Sequence, residues 1–494
     1  MIHSKNSLFV LLAAFALLSS CSHRDEIESG VAQGVEAPQD NANVKFQFIA
    51  NASSSKTRST AEESDDQPVR GEENEYQVNN ARVYLYASST KQFVKSVELS
   101  GITRRPLTAD NKNVIYDTER ISLPSGIYDV FVIANYDKVI NKEKEDEFLA
   151  TVDSVTYHSG LIKNISKGIV MTNRAADNYG VTIVEDQNHN DNVINIYLER
   201  TLARIDVKKE KEVIELQDES SPKQTYATVT LDRYYIVNLP RYFNMFRRTA
   251  VLTSLNEPTS WSVTENFGKI NDQNGFVIDP YFFKKTVDAT QFTNGDDYYV
   301  NYFGDYNKET VAWETLTTQA TTSYSLENCM FTPAQKNGYS TGVIFSARFA
   351  PNNNVYDLVG GNLQLITDES QYPETLYYYN YKFYASDVAL AEATKNNTDL
   401  DKYQARKFKK TADGYRCYYV YWIRHLDNNL PTVMGVMEFG IVRNNLYLIN
   451  VQDVFGLGYN ELIPIPDTPD EGETNLNVIL RVKPWIVRKL DIIL

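Results

Sequence analysis

Apolar and polar residues alternate with a period of two along much of this 494-residue chain, the pattern of strands with one buried face. The first clean case is residues 44–50, VKFQFIA. Val44, Phe46, Phe48 and Ala50 fall on one face, and Lys45, Gln47 and Ile49 on the other. Further strands are predicted at 81–87, 127–135, 193–198, 202–207 and 227–239. The 127–135 stretch, IYDVFVIAN, is apolar on both faces and follows the turn Leu123-Pro124-Ser125-Gly126, so it is predicted to be a central strand. Residues 142–148 are predicted as a helical turn. After a loop-rich stretch at 241–301, strands resume at 341–349, 375–385, 415–423, 435–442 and 446–454, with Asn444-Asn445 predicted as the hairpin turn between the last two. Short strands and tight turns without regular helix alternation predict a β-sandwich architecture. A boundary between two halves is expected near residue 250.

Both ends of the chain depart from this pattern. Residues 51–75 read NASSSKTRSTAEESDDQPVRGEENE, Ser-rich, acidic and nearly free of apolar side chains, so an exposed loop is predicted. A loop that long directly after a first strand needs a reason. Arg58 and Arg70 each offer a site to a trypsin-like protease. The segment reads either as a plain surface loop or as a maturation site that separates residues 44–50 from everything after them. Near the other end, a Pro/Asp/Glu linker at 464–473 leads into residues 474–494, TNLNVILRVKPWIVRKLDIIL. Leu476, Val478, Leu480 and Val482 alternate with Asn477, Ile479, Arg481 and Lys483, and Pro484 then interrupts the ladder. A chain seldom finishes on bare apolar strand residues unless something pairs with them. The partner is either the chain's own sheet or another molecule that accepts the strand.

Composition narrows the class. The chain has 34 Tyr and 22 Phe, which favours strands. Its net charge of −15 argues against a nucleic-acid partner. At the N-terminus, Lys5 precedes an apolar run at 7–18 that is too short to span a bilayer, as in an export signal. Leu18-Ser19-Ser20-Cys21 then resembles the bacterial lipobox, whose Cys takes a diacylglyceryl group and becomes the first residue of the mature protein. More than one acyl chain gives durable anchoring. Residues 22–43 are polar and acidic, a tether. The remaining cysteines, Cys329 and Cys417, leave a disulfide or two buried thiols equally open.

Catalytic signatures are missing. There is no H-E-x-x-H, paired-Cys motif, G-x-S-x-G or P-loop, so no catalytic residue, cofactor or metal is assigned. Asp186, Asn188, Asn190 and Asp191 begin like a calcium loop but lack its Gly and closing Glu, so an Asn/Asp-rich turn is expected. Trp261, Trp313 and Trp422 would be the candidates for a glycan-binding surface, although aromatic strand residues more often pack across strands.

In order along the chain, the lipobox, the first strand with its Arg-bearing loop, VNNARVYLY at 78–86, LPSGIYDVFVIAN at 123–135, RTLARIDV at 200–207, GIVRNNLYLINV at 440–451 and VKPW at 482–485 together resemble the fimbrillins, shaft subunits of type V pili of Bacteroidales. The resemblance implies an all-β protein: two transthyretin-like β-sandwich domains in tandem with a C-terminal donor-strand tail. It divides the chain into a signal peptide at 1–20, a lipidated propeptide with the first strand at 21–58, sandwiches at 59–250 and 251–473, and donor strands at 474–494. It further implies a precursor held in outer-membrane lipid through Cys21 and cut by a protease after Arg58, before Ser59, with Arg70 and Gly71 as second choice. Val44, Phe46, Phe48 and Ala50 would then leave, and Leu476, Val478, Leu480, Val482, Trp485 and Val487 of another copy would take their place. The implied partners are copies of the chain, pilus anchor and tip subunits, and the membrane lipid. The implied role is structural, in a cell-surface fimbrium supporting adhesion. An anchor or tip accessory protein, or a surface glycan-binding lipoprotein, is the alternative.

Overall fold

The computed structural model describes residues 39–50, 71–106, 114–155, 165, 167–185, 192–252, 263–266, 275–282, 284, 295–305, 307, 310–330, 339–396, 405–425, 438–461 and 476–484. Three larger sheets carry the fold. The first has ten strands. Its main path runs Phe93–Leu99, Ala81–Ala87, Gly126–Ala134, Met171–Asn173, Asn192–Arg200, Asp40–Ala50, Val114–Asp117 and Thr103–Arg104. Strands from distant positions on this path share one core. Val44, Phe46 and Phe48 lie in the same buried cluster as Val83, Leu85, Val130 and Val132. The sheet therefore folds over on itself into two layers around that core. Gly126–Ala134 is buried on both faces over most of its length, as its unbroken apolar run predicts.

The other two sheets face one another. A four-stranded sheet runs Thr321–Ser325, Ala203–Lys209, Asn445–Val454 and Leu476–Pro484. A second ten-stranded sheet is built around Thr225–Val237, Gly342–Pro351 and Gly414–Trp422. Ile205, Val207, Tyr447 and Ile449 of the smaller sheet pack with Val229, Leu231, Phe345, Ala347 and Tyr419 of the larger. This is a sandwich with alternating inward residues on both layers. A third cluster joins it to the first sheet: Tyr84, Tyr86, Phe131 and Phe148 pack with Phe243, Phe246, Tyr324 and Leu446. The rings of Phe148 and Phe246 lie 5.1 Å apart.

Several local expectations change. Arg200 closes a strand of the first sheet and Ala203 opens one of the four-stranded sheet, so the sheets change over there and not near residue 250. The loop-rich stretch after 241 carries short strands of its own, with Tyr242–Asn244 pairing back to Val152–Ser154. The run at 375–385 is a hairpin, Thr375–Tyr379 against Lys382–Tyr384. Asn380 and Tyr381 turn it with φ of 46° and 60°, the two-residue connection whose twist suits paired strands. Asn444-Asn445 is no hairpin. Ile441 forms an isolated bridge to Asn328, and Asn445–Val454 runs parallel to Ala203–Lys209. The expected helical turn is the short helix Glu145–Leu149. A longer helix, Asp387–Thr394, stands where none was predicted; Ser386 caps it by accepting from the Ala389 amide at 3.2 Å.

Candidate functional site

The first strand, Asp40–Ala50, lies inside its sheet with a ladder on each side. It runs parallel to Asn192–Arg200, from Val44 opposite Asn192 to Ala50 opposite Leu198. On the other side it is antiparallel to Val114–Asp117 and then to Ile121–Pro124. Thr118 bridges the break between those two segments: Phe46 N donates to Thr118 Oγ1 at 3.1 Å, and Thr118 N donates to Phe46 O at 3.1 Å. Val44, Phe46 and Phe48 are wholly buried and Ala42 and Ala50 nearly so. Each large apolar side chain so buried contributes roughly 1.5–3 kcal/mol. Without this strand the sheet would present an apolar trough between two unpaired edges.

The outward face of the strand is read by one carboxylate. Lys45 Nζ lies 3.1 Å from Asp117 Oδ1, and Gln47 Nε2 donates to the same oxygen at 3.1 Å. Arg105 Nη2 also donates to it, at 2.8 Å. Hydrogen bonding from Arg105 foremost, and then from Lys45, holds the Asp117 carboxyl down at about 2. At the strand's start, Arg120 Nη1 donates to Asn43 O at 3.0 Å and Ser125 N donates to Asn41 Oδ1 at 2.7 Å.

Beyond Ala50 the described chain resumes at Gly71, which is buried. A 3-10 turn, Glu73–Glu75, then ties it down. Glu75 is fully buried. Its carboxylate accepts from Glu72 N at 2.6 Å, Tyr324 OH at 2.6 Å and Arg204 Nη1 at 3.1 Å. Its carbonyl accepts from Arg200 Nε at 2.6 Å. Arg204 also grips Asp206 through two bonds of 2.8 and 2.9 Å. Buried charges are tolerated here because each is paired and hydrogen-bonded. Arg204 and Tyr324 belong to the four-stranded sheet, so the residues just after the Arg-bearing segment are locked to the sandwich.

Among the described residues the terminal strand, Leu476–Pro484, is at the edge of the four-stranded sheet. It pairs antiparallel with Asn445–Val454, from Pro484 opposite Asn445 to Leu476 opposite Val454. In the single chain, then, the last strand lies in its own sheet, holding one ladder among the described residues where the first strand holds two. Val478 is half-buried against the sandwich core.

Of the other residues singled out by sequence, Cys21, Arg58, Ser59, Arg70, Trp485 and Val487 lie outside the described residues, as do Trp261 and the Asn/Asp-rich turn at 186–191. The structure sets the first and terminal strands in different sheets. Trp313 and Trp422 pack half-buried on one cluster, Trp313 stacked on Tyr418 at 6.0 Å and Trp422 edge-on to Phe303 at 5.0 Å. Beside Trp313 opens a cleft of about 830 Å³ whose Arg233 and Arg416 are paired with Asp413 and Asp232. Cys329 and Cys417 are separate buried thiols. Sequence reasoning passed over Asp117, Thr118, Arg105 and Glu75. They carry no pattern of their own, and only contacts with distant residues give them a role, with the first strand for Asp117 and Thr118 and with the sandwich for Glu75.

Two family models match the chain, and between them they span more than half of it. Residues 42–230 match the major fimbrial subunit protein (FimA). Residues 412–491 match the C-terminal part of fimbrillin, described as the type IV major fimbrial subunit protein. No curated protein sequence matches. Among solved structures, a fimbrilin (FimA) from Porphyromonas gingivalis W83 is 15% identical, with a TM-score of 0.42, covering 92% of this chain and 99% of that one. A C-terminally truncated tip fimbrial protein, Mfa3, from the same species is 11% identical, with a TM-score of 0.34, covering 90% and 100%.

Proposed function

Because the chain belongs to the fimbrillins, the major fimbrial subunits, we propose that it is the shaft subunit of its pilus, exported as a lipoprotein through Cys21, cut after Arg58 and joined to its neighbours by strand exchange. A fimbrial subunit is a structural protein of the cell surface and not an enzyme. The observation that carries the finer reading is the position of the first strand. It is buried and paired on both sides, yet its only covalent path to the rest of the fold is the segment holding Arg58 and Arg70. One cut there leaves a strand held by non-covalent contacts alone, attached to the lipid end of the chain.

A replacement strand must restore two ladders and fill the trough. The terminal strand suits both needs. Leu476, Val478, Leu480 and Val482 share one face, and at home the strand holds a single ladder among the described residues. Moving it into the slot of another copy exchanges one ladder for two. Burial of about five apolar side chains adds a gross term near 10 kcal/mol before entropy and strain. Each copy would accept at one site and donate from another. Such a contact does not close on itself, so it extends into a filament.

Limited trypsin digestion of the precursor tests this reading. The expected product begins at Ser59 or Gly71, loses residues 40–50, and forms ladders on gels and fibres under the microscope. Replacing Cys21 by Ala should abolish labelling by radioactive palmitate. A product that is cut cleanly, sheds its first strand and stays monomeric would overturn the shaft assignment.

A further inference from the structure

We propose that Asp117 sets the register of the incoming strand by pairing with Arg481 and Lys483 of a second copy of this chain. The inference rests on the strand-exchange reading above. It concerns a question that apolar burial leaves open. Alternating side chains fix which face of a strand enters the trough, because a one-residue slip turns every apolar group outward. A slip of two residues keeps the faces correct, so something other than the apolar pattern must choose among the remaining registers.

On the resident strand that choice is visible at Asp117. Lys45 and Gln47 flank Phe46 on the outward face, and both reach the same carboxylate oxygen at 3.1 Å. The Asp117 side chain is only 16% exposed, so its charge is less screened than a surface one. When the resident strand departs, Arg105 stays with Asp117, but a cation and an amide donor are lost. The terminal strand carries the matching triplet. Arg481 and Lys483 flank Val482 with the same spacing, on the face opposite Leu480 and Val482. Laying one triplet on the other puts Val482 in the place of Phe46 in either chain direction. Slipping the strand by two residues would bring either Ile479 or Trp485 into one of the two positions opposite Asp117, leaving a single cation there. Only one of the face-preserving registers therefore offers Asp117 both charges.

The test uses full-length precursor cut by trypsin, with polymer growth followed by light scattering. Arg481→Glu with Lys483→Glu puts like charges opposite Asp117, and growth should slow by about tenfold or more. Adding Asp117→Asn to that double variant should restore most of the rate, since the repulsion then has no partner. Raising the salt concentration should lift the loss in the same way. Denaturation of each precursor shows whether it folds; where the reversal does not, Arg481→Gln with Lys483→Gln takes its place and should slow growth to a smaller degree, with a deficit against wild type that shrinks as salt rises. Growth of the charge-reversed chain at the wild-type rate, or a loss that Asp117→Asn leaves unchanged, overturns the inference while strand exchange stands. A wild-type chain that is cut and never grows removes strand exchange itself, and this inference with it.

Discussion

Phe46 and Thr118 exchange two hydrogen bonds across the gap between two neighbouring strand segments: the Phe46 amide donates to the Thr118 hydroxyl, and the Thr118 amide to the Phe46 carbonyl, both at 3.1 Å. The hydroxyl supplies an acceptor where the antiparallel ladder breaks. Both Phe46 and Thr118 are buried, so water cannot replace it. Thr118→Val keeps the shape and orphans the Phe46 amide. It should destabilise the precursor by about 1–3 kcal/mol, read from its urea midpoint, whereas Thr118→Ser should stay close to wild type.

Phe48 is wholly buried in the first core. Phe48→Ala should cost the precursor about 3–5 kcal/mol. On the strand-exchange reading this residue is absent from the assembled filament, so fibres grown from the cut variant should dissociate at the same denaturant concentration as wild type. Equal weakening of precursor and fibres would mean that the first strand never leaves.

Glu75 should behave in the opposite way. It accepts from Arg204, Tyr324 and Glu72 in the interior and lies after both candidate cuts. Glu75→Ala strands a buried arginine contact and two donors, at a cost of about 3 kcal/mol. The loss should be the same before and after cleavage, measured by denaturation of both forms.

Two carboxyls of the precursor shift in opposite directions. Burial, with the Asp129 carboxylate next in weight, pushes Glu145 from 4.5 up to about 7, against the opposing pull of Lys91. The fold holds that proton more tightly than the unfolded chain does. Its contribution is therefore complete below 4.5 and is lost as pH rises through about 7. Asp117 works the other way. Held down at about 2 from 3.8, it contributes above 3.8 and loses that contribution as pH falls through about 2. Urea midpoints across pH should show both slopes. Glu145→Gln should flatten the one near neutrality and Asp117→Asn the acidic one.

Removing residues 485–494 leaves the ladder between Leu476–Pro484 and Asn445–Val454 untouched. The trimmed precursor should melt close to wild type by circular dichroism. After trypsin it should fail to form fibres, because Trp485 and Val487 are missing from the donated strand. Fibres of normal length would confine the donor to the strand before Pro484.

How much of this was legible beforehand depends on the distance over which each feature is encoded. The faces of the first strand could be read directly: Val44, Phe46 and Phe48 alternate with Lys45 and Gln47, and burial follows that alternation. The central position of Gly126–Ala134 was legible for the same reason. Partners were not. Nothing near Phe48 specifies that Ile196 lies beside it on one side and Tyr116 on the other. The hairpin at Asn380-Tyr381 was hidden because aromatic residues continue through the turn, and the pairing of Asn445–Val454 because its parallel partner is encoded in the first half of the chain.

By itself, then, the sequence determined the all-β class, the buried faces of Asp40–Ala50 and Gly126–Ala134 and the family to which the chain belongs. A period of two is a local property, set by the geometry of an extended backbone. The tertiary structure alone decided that Thr118 would complete the ladder of Phe46, that Lys45 and Gln47 would meet at Asp117, and that Glu75 would be held by Arg204. Those meetings join residues far apart along the chain. Their loop-closure cost is recovered only when a whole core closes, so no short stretch of sequence can specify them.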